Sequence, residues 1–233
     1  MKKLITSLLI AGSLGSASAV AGDRHISVEV TNLTNAITFT PLLVSAHNAD
    51  SHIFQVGHTA SFGLQAMAEG GDTSHLITDL AVAGANNNVS AGLLAPGETV
   101  SIELMANKHN RYLSVGAMLL PTNDGFVGLD AVSIPRKNGT YTYYLNGYDA
   151  GTEANDEIIN GGGAPGTPGI PGAPDGNGGT GASGVTGPDH NGKVHVHRGI
   201  VGDSDPTGGT SDLDSAVHQW LNPVAKVVVT VEN

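Results

Sequence analysis

Apolar and polar residues alternate along several short stretches of this chain, and that alternation predicts β-strands that are buried on one side. The alternation is clear at residues 26–30 and 99–105, and longer, mostly apolar runs occur at residues 112–120 and 126–134. The remaining predicted strands are residues 37–46, with a bend at Pro41, residues 140–145, residues 193–200 and residues 223–231. About eight strands with short connections predict an all-β fold, an antiparallel β-sandwich.

The periodicity changes between residues 60 and 83, where apolar residues recur every three or four positions. This spacing predicts one or two short helices, the first ending at Gly70-Gly71 and the second beginning behind Thr73. Residues 86–88, which are three asparagines, and residues 96–97 predict turns. The helices are therefore expected as small additions to the sandwich.

Residues 160–192 differ from the rest of the chain because nearly all of them are Gly, Pro, Ala, Thr, Asp or Asn. They include four consecutive Gly-X-Pro triplets at residues 163–174. These triplets resemble collagen but are far too few for a triple helix. So few apolar side chains cannot offset the entropy that is lost on ordering. We therefore predict a flexible Gly/Pro-rich loop inserted between two strands of the sandwich.

The chain begins with the basic segment Met1-Lys2-Lys3, followed by an apolar run at residues 4–14 and small residues at 17–21. This order is typical of a secretory signal peptide, and the apolar run is too short to span a bilayer. We therefore predict a signal peptide at residues 1–21 and a single mature domain at residues 22–233. The domain is expected to be exported, either to the periplasm or out of the cell, and to have no membrane span.

The net charge of the chain limits its partners, and its cysteine content limits how the fold can be stabilised. The formal net charge is −11, and it becomes −13 once Lys2 and Lys3 are removed with the signal peptide. A chain this acidic disfavours nucleic acid and anionic membranes as partners. The chain contains no cysteine, so the exported fold must be held without disulfides.

Acidic residues gather on predicted loops between residues 119 and 157, where Gly and Asn turn signals also leave backbone carbonyls free. Asp124 lies in TNDGFVG, and Asp149 and Glu153 lie in YDAGTE. Ca²⁺ prefers carboxylate and carbonyl oxygens, in sets of about six to eight. If neighbouring strands bring the two loops together, the three acids can share one calcium ion. On spacing alone, they can equally be acids of solvent-facing turns.

Several segments occur in an order that resembles the bacterial form of the spondin N-terminal domain. They are PTNDGFVGLDAV, YLNGYDAGTEANDE, KVHVHRGI and WLNPVAKVVVTV, preceded by FTPLLVSAH, FQVGHTAS and LQAMAEGGD. The resemblance covers residues 26 to 232, nearly all of the mature chain. It implies a β-sandwich of the C2 type that carries a calcium ion, as in animal relatives in extracellular matrix and cell-adhesion proteins.

The resemblance also implies a ligand set. Carried onto this sequence, the family's calcium ligands correspond to Asp124, Asp149 and Glu153. Glu153 stands where the family has Asp, which keeps the charge but lengthens the side chain. The animal relatives use disulfides, whereas this chain has no cysteine. The implied function is a calcium-binding interaction or adhesion module whose protein or matrix partner is unknown.

His195 and His197 are two residues apart on a predicted strand, so both side chains are expected on one face. Two imidazoles can bind Zn²⁺ or Cu²⁺, but the spacing supplies no third ligand. The alternative function is therefore an exported transition-metal-dependent enzyme that uses this strand. Hydrogen bonding of both histidines within the sandwich explains the pair equally well.

Asp203, Asp205 and Asp214 form a second acidic pattern, DSDPTG followed by a later Asp, with the oxygen spacing of a calcium loop. Pro206 and the lack of a helix signal before the loop weaken this pattern, so a solvated turn is the competing interpretation. No hydrolase, zinc-protease or phosphate-binding motif is present in the sequence. The sequence therefore favours a non-enzymatic calcium-binding module over an enzyme.

Overall fold

Strands supply nearly all of the regular structure. The computed structural model of the protein describes residues 23–174, 178–187 and 192–232. Its strands are β1 (Arg24–Asn32), β2 (Thr38–Phe39), β3 (Leu43–His47), β4 (Asn86–Val89), β5 (Thr99–Ala106), β6 (Tyr112–Leu120), β7 (Gly125–Ser133), β8 (Gly139–Asp149), β9 (His195–Val196) and β10 (Ala225–Glu232); its helices are α1 (Phe62–Gly70) and α2 (Ser74–Val82). The predicted signal peptide at residues 1–21 lies outside the described residues.

The ten strands form one folded-over sheet in the order β4-β3-β6-β7-β8-β10-β1-β5, with β2 beside β6 and β9 beside β8. All pairings between these strands are antiparallel. The long strand β8 joins the two halves of the sheet, because residues 139–145 pair with β10 whereas residues 146–149 pair with β7. The predicted all-β class is confirmed.

Two groups of apolar side chains form the core. The larger group joins both halves of the sheet and includes Val28 and Val229, from β1 and β10, where every second residue is buried. The smaller group lies where α1 packs on β6 and β7, and it includes Leu64, Met67 and Phe126. Burial at every second position of β1 and β10 corresponds directly to the alternation in the sequence.

Helix α1 begins and ends at residues that suit helix termini. The Ser61 side chain accepts a hydrogen bond from the Leu64 amide at 3.1 Å, which caps the first turn. The helix stops before Gly71, which adopts the left-handed conformation with φ of 72°. Both predicted helices are therefore confirmed, as α1 and α2.

The asparagine run at residues 86–88, which the sequence predicts as a turn, belongs to strand β4, so that prediction is wrong. One side of β4 pairs with β3, with Asn88 opposite Val44. On the other side, the Asn86 amide donates to the Met105 carbonyl at 3.0 Å and the Asn88 amide donates to the Glu103 carbonyl at 2.9 Å. Side-chain amides thus join β4 to β5 and nearly close the sheet; we call this contact the asparagine seam.

Replacing both Asn86 and Asn88 by alanine is expected to lower the free energy of unfolding by about 1 to 2 kcal/mol, because each lost hydrogen bond contributes about 0.5 to 1.5 kcal/mol. Urea unfolding of the double variant measures this loss. Gln55→Ala is the control, since this exposed amide makes no hydrogen bond through its side chain within the described part of the chain. Equal stability of the double variant and the wild type would mean that the seam contributes nothing.

Two other predictions differ in extent from the structure. The predicted strand at residues 193–200 is reduced to β9, because the chain turns away from β8 toward Gly199, whose φ is 88°. The described part of the predicted insertion, residues 160–174 and 178–187 with Gly192, contains no helix or extended strand. Its flexibility stays a prediction. Across the described ranges, no helix has both the length and the apolar character needed to cross a membrane.

Candidate metal centre

The pairing of β7 with β8 places the three predicted calcium ligands on two adjacent loops. Asp124 immediately precedes β7, and Asp149 ends β8 opposite Gly125. Glu153 follows in the next loop, whose Ala150 amide donates to the Asp124 carbonyl at 3.2 Å. All three acidic side chains are buried. They are therefore not the solvent-facing turn acids that spacing alone allowed.

Asp124 organises the loop after β8 through one of its two carboxylate oxygens. Its Oδ2 accepts hydrogen bonds from the Thr152 amide at 2.8 Å, the Thr152 hydroxyl at 3.1 Å and the Glu153 amide at 3.3 Å. Its Oδ1 is also buried, yet it has no hydrogen-bond partner among the described residues. A buried carboxylate oxygen without a partner is costly, so Oδ1 is suited to a cation.

Glu153 repeats this arrangement on the other side of the loop. Its Oε2 accepts hydrogen bonds from the Gly169 amide at 2.7 Å and from the Asn123 side chain at 3.5 Å. Its Oε1 is buried and finds no hydrogen-bond partner within the residues that the structure describes. The two acids thus each use one oxygen for the protein and leave the other one unsatisfied.

Asp149 has both oxygens engaged by its own loop. Its Oδ1 accepts from the Gly151 backbone amide at 2.7 Å, and its Oδ2 accepts from the Asn155 side-chain Nδ2 at 2.6 Å. Gly151 has φ of 69°, and a β carbon there would lie 2.5 Å from the Lys193 backbone nitrogen. Glycine is therefore required for the sharp turn that aims this loop back at Asp149.

The electrostatics of the site disfavour the negatively charged acids. Burial, followed by the negative charge of Asp149, raises the pKa of Asp124 to about 7, although the amides of Thr152 and Glu153 oppose the rise. Burial also raises the pKa of Glu153 to about 7, with a smaller contribution from Glu69. A cation beside these acids would favour their ionised forms and so lower the pKa of each one.

The donor chemistry fits a hard cation such as Ca²⁺, because the unsatisfied atoms are carboxylate oxygens. The acids do not form a complete site by themselves. In the described ranges, no three His, Asp or Glu side chains converge closely enough to hold a metal ion. Calcium here would therefore need backbone carbonyls and water in addition to the carboxylates, as calcium sites commonly use.

A family model described as Spondin_N matches residues 31–157, which is more than half of the chain. The chain belongs to the spondin N-terminal family. The matched region contains Asp124, Asp149 and Glu153 and ends at Glu157, so it includes the whole cluster described above. The histidine strand and the second acidic pattern lie beyond it. No curated protein matches this spondin domain.

The two predicted histidine ligands have different neighbours in this spondin domain. His195 Nδ1 lies 2.9 Å from the Lys193 carbonyl and 3.6 Å from Asp149 Oδ1. His197 is buried; its Nδ1 accepts from the Gly199 amide at 2.9 Å, and its ring lies 5.0 Å from that of Trp220. Transition-metal binding by this pair stays a prediction.

The predicted ligands Asp203, Asp205 and Asp214 line a depression of about 500 Å³ that also contains His218. Asp203 Oδ2 accepts from the Thr210 amide at 2.6 Å, among other backbone amides, and these bonds lower the pKa of Asp203. Asp205 and Asp214 accept from the amides two residues ahead. These contacts are typical of acid-stabilised turns, and calcium binding here also stays a prediction.

Two buried acids were missed by sequence reasoning. Glu157 Oε1 accepts from the Val201 amide at 2.7 Å and its Oε2 accepts from the Gly202 amide at 2.8 Å. Glu69 Oε2 accepts from the Gly166 amide at 2.6 Å. Glu69 carried a usable signal, because it lies in the last turn of α1, where a negative charge opposes the helix dipole unless a donor is present.

Proposed function

We propose that this spondin domain is an exported interaction module whose loops are held together by one calcium ion. The observation that carries the proposal is the pair of buried oxygens without partners, Asp124 Oδ1 and Glu153 Oε1, on two acids that lie in adjacent loops. Calcium would supply the positive charge that these oxygens lack. Asp124, Asp149 and Glu153 would hold it, together with carbonyls and water.

The contacts around the acids explain what such an ion would do. Asp124 already fixes Thr152 and Glu153 through their amides, so the loop before β7 and the loop after β8 depend on one carboxylate. Neutralising the acids would remove the repulsion between Asp124 and Asp149 and make both loops rigid. Rigid loops at one end of a sandwich form a defined surface for a partner.

The family supports a binding role for this surface. Spondin N-terminal domains are typically extracellular and are not known as an enzyme family. Export agrees with the predicted signal peptide. We therefore expect the partner to be a protein or matrix component outside the cytoplasm, and we expect no catalytic activity.

Thermal unfolding of the chelated, mature protein tests the metal. Calcium at about one hundred times its dissociation constant should stabilise the wild type by about 2.7 kcal/mol. Asp149→Asn, which keeps the size of the side chain, should lose this response. Asp203→Asn should keep it and is the matched control for the second acidic pattern.

Two outcomes would contradict the proposal. The first is an unfolding midpoint of the wild type that does not respond to calcium but rises with Zn²⁺; if His195→Ala abolishes that zinc response, the transition-metal alternative is favoured. Equal calcium responses in Asp149→Asn and the wild type would remove Asp149 from the ligand set.

A further inference from the structure

The Gly/Pro-rich segment at residues 158–174, which we call the strap, is held against the fold near its C-terminal end by one apolar side chain. Ile170 is fully buried and belongs to the larger core group. Its amide donates to the Ile158 carbonyl at 2.8 Å, and its carbonyl accepts from the Gly161 amide at 3.1 Å. The strap is therefore docked on the core through Ile170, although it contains no helix or extended strand.

Two buried glutamates hold the strap at two glycines that precede this docking point. The Gly166 amide donates to Glu69 Oε2 at 2.6 Å, and the Gly169 amide donates to Glu153 Oε2 at 2.7 Å. Gly169 has φ of 116°, and a β carbon there would lie 2.0 Å from Asn160 Oδ1. Only glycine can present its amide to Glu153 in this conformation.

Glu153 is thus shared between the strap and the candidate calcium site. One of its oxygens accepts from the strap, and the other is the unsatisfied oxygen of the site. Without a cation, the negative charges of Glu153 and Asp124 repel each other, which acts to move Glu153 and the strap amide bound to it. A cation between the loop before β7 and the loop after β8 would attract both acids and hold Glu153 in place.

The strap's other contacts lie mainly at its start, where Ile159 packs, partly buried, against the same core group and its amide donates to Asp212 Oδ2 at 2.7 Å. A glycine-rich segment loses more conformational entropy on ordering than a segment of other composition. Ile170 is the one fully buried large side chain of the strap. Segments with few buried apolar contacts open locally at low free-energy cost. Loss of one charged hydrogen bond, worth about 1.5 to 3 kcal/mol, is therefore enough to shift the docking equilibrium.

We propose that calcium binding and docking of the strap are coupled through Glu153. Bound calcium holds Glu153 in place and locks the strap, and the docked strap orients Glu153 for the ion. This inference rests on the proposed calcium-binding function. Because coupling between two binding events is reciprocal, each event must strengthen the other by the same factor.

Amide hydrogen exchange, followed by mass spectrometry, tests the first direction. In the wild-type protein, calcium should slow exchange in peptides that contain Gly166 and Gly169 by about fivefold or more, compared with the chelated protein. Peptides from β10 are the internal control, since that strand does not contact the strap's glutamates and should change much less.

Calcium affinity, measured by titration calorimetry, tests the reverse direction. Ile170→Ala undocks the strap without touching a proposed ligand, so it should weaken calcium binding by about fivefold or more. Ile26→Ala is the matched control, because Ile26 is equally buried in the same core group but lies on β1. If either variant fails to fold, Ile170→Val and Ile26→Val repeat the comparison with a smaller loss of core volume.

The outcomes separate the two proposals. If the wild type binds no calcium, the proposed function fails and the coupling fails with it. If the wild type binds calcium, but Ile170→Ala binds it as tightly as Ile26→Ala and exchange in the strap does not respond, the coupling is overturned while the calcium function stands. Weaker binding only in Ile170→Ala, with calcium-dependent protection of the strap, is the result that we expect.

Discussion

Asp124→Asn is expected to remove a pH dependence of stability that the wild-type protein shows in the absence of calcium. Burial and the charge of Asp149 raise the pKa of Asp124 to about 7 in the folded protein. In an unfolded chain, the pKa of aspartate is about 3.9. Between these values the folded state binds more protons than the unfolded state, so the free energy of unfolding falls as the pH rises.

The expected effect is large. From pH 5 to pH 8, about two pKa units of this difference are crossed, which corresponds to about 3 kcal/mol. At pH 7 the folded-state aspartate is half ionised, and its contribution becomes constant only above about pH 8. Urea unfolding in chelator at several values between pH 5 and pH 8 should therefore show the wild type losing about 3 kcal/mol relative to Asp124→Asn.

Most other titrating groups cancel in this comparison. Glu153 cancels only in part, because its pKa of about 7 is raised by burial and partly by the negative charge of Asp124. Burial lowers the pKa of His47, so that histidine contributes stability that is lost as the pH falls below about 6.5, opposite in sign to Asp124. Hydrogen bonds lower the pKa values of Asp72 and Asp203, which titrate below the window. All three are present in both proteins. Parallel stability curves would show that Asp124 is ionised throughout, and calcium should flatten the wild-type curve because it favours the ionised acid.

Phe126→Ala is expected to lower the free energy of unfolding by about 3 to 5 kcal/mol. Phe126 is fully buried at the start of β7, where its ring meets Phe54 edge-on at 5.0 Å and stacks on Tyr148 at 5.6 Å. Truncation would leave a cavity between the helices and the sheet. The Phe54 ring already lies close against Gly128, where a β carbon would come within 2.5 Å of it. Phe54 therefore has little room to move and fill the cavity.

Phe62→Ala provides the control for this prediction. Phe62 is 58% exposed and packs edge-on against His75 at the start of α1. Its loss should change stability by less than about 1 kcal/mol. Chemical unfolding of both variants with calcium present keeps the metal site constant. Similar losses in the two variants would mean that the smaller core group does not stabilise the fold as a packed unit.

The sequence predicted the parts of this fold that local pattern determines. β1 and β10 alternate in burial because they lie on a two-sided sheet, and Ser61 and Gly71 suit the ends of α1. The strand at residues 86–89 was missed because asparagine has low strand propensity. Its conformation depends on β3 and on the carbonyls of β5, which a local pattern does not reveal.

The candidate site divides in the same way. Asp124, Asp149 and Glu153 carry local signals, since each is an acid beside a turn glycine or in a short loop. The bond between Glu69 and Gly166 joins residues 97 positions apart, and Ile170 reaches the core from within a segment of disordered composition. These contacts depend on the tertiary fold and not on local sequence, so composition alone suggests a free loop where the structure has a docked one.

The asparagine seam bears on how copies of this protein behave at high concentration. An uncovered outer strand offers a row of backbone groups on which another molecule can add a strand, and this is a common first step toward fibres. Here the two outermost strands, β4 and β5, face each other, and the carbonyls of Glu103 and Met105 are already occupied by Asn88 and Asn86. The domain thereby blocks the edge on which another copy could add a strand, so its soluble form should resist this first step of aggregation even at high concentration.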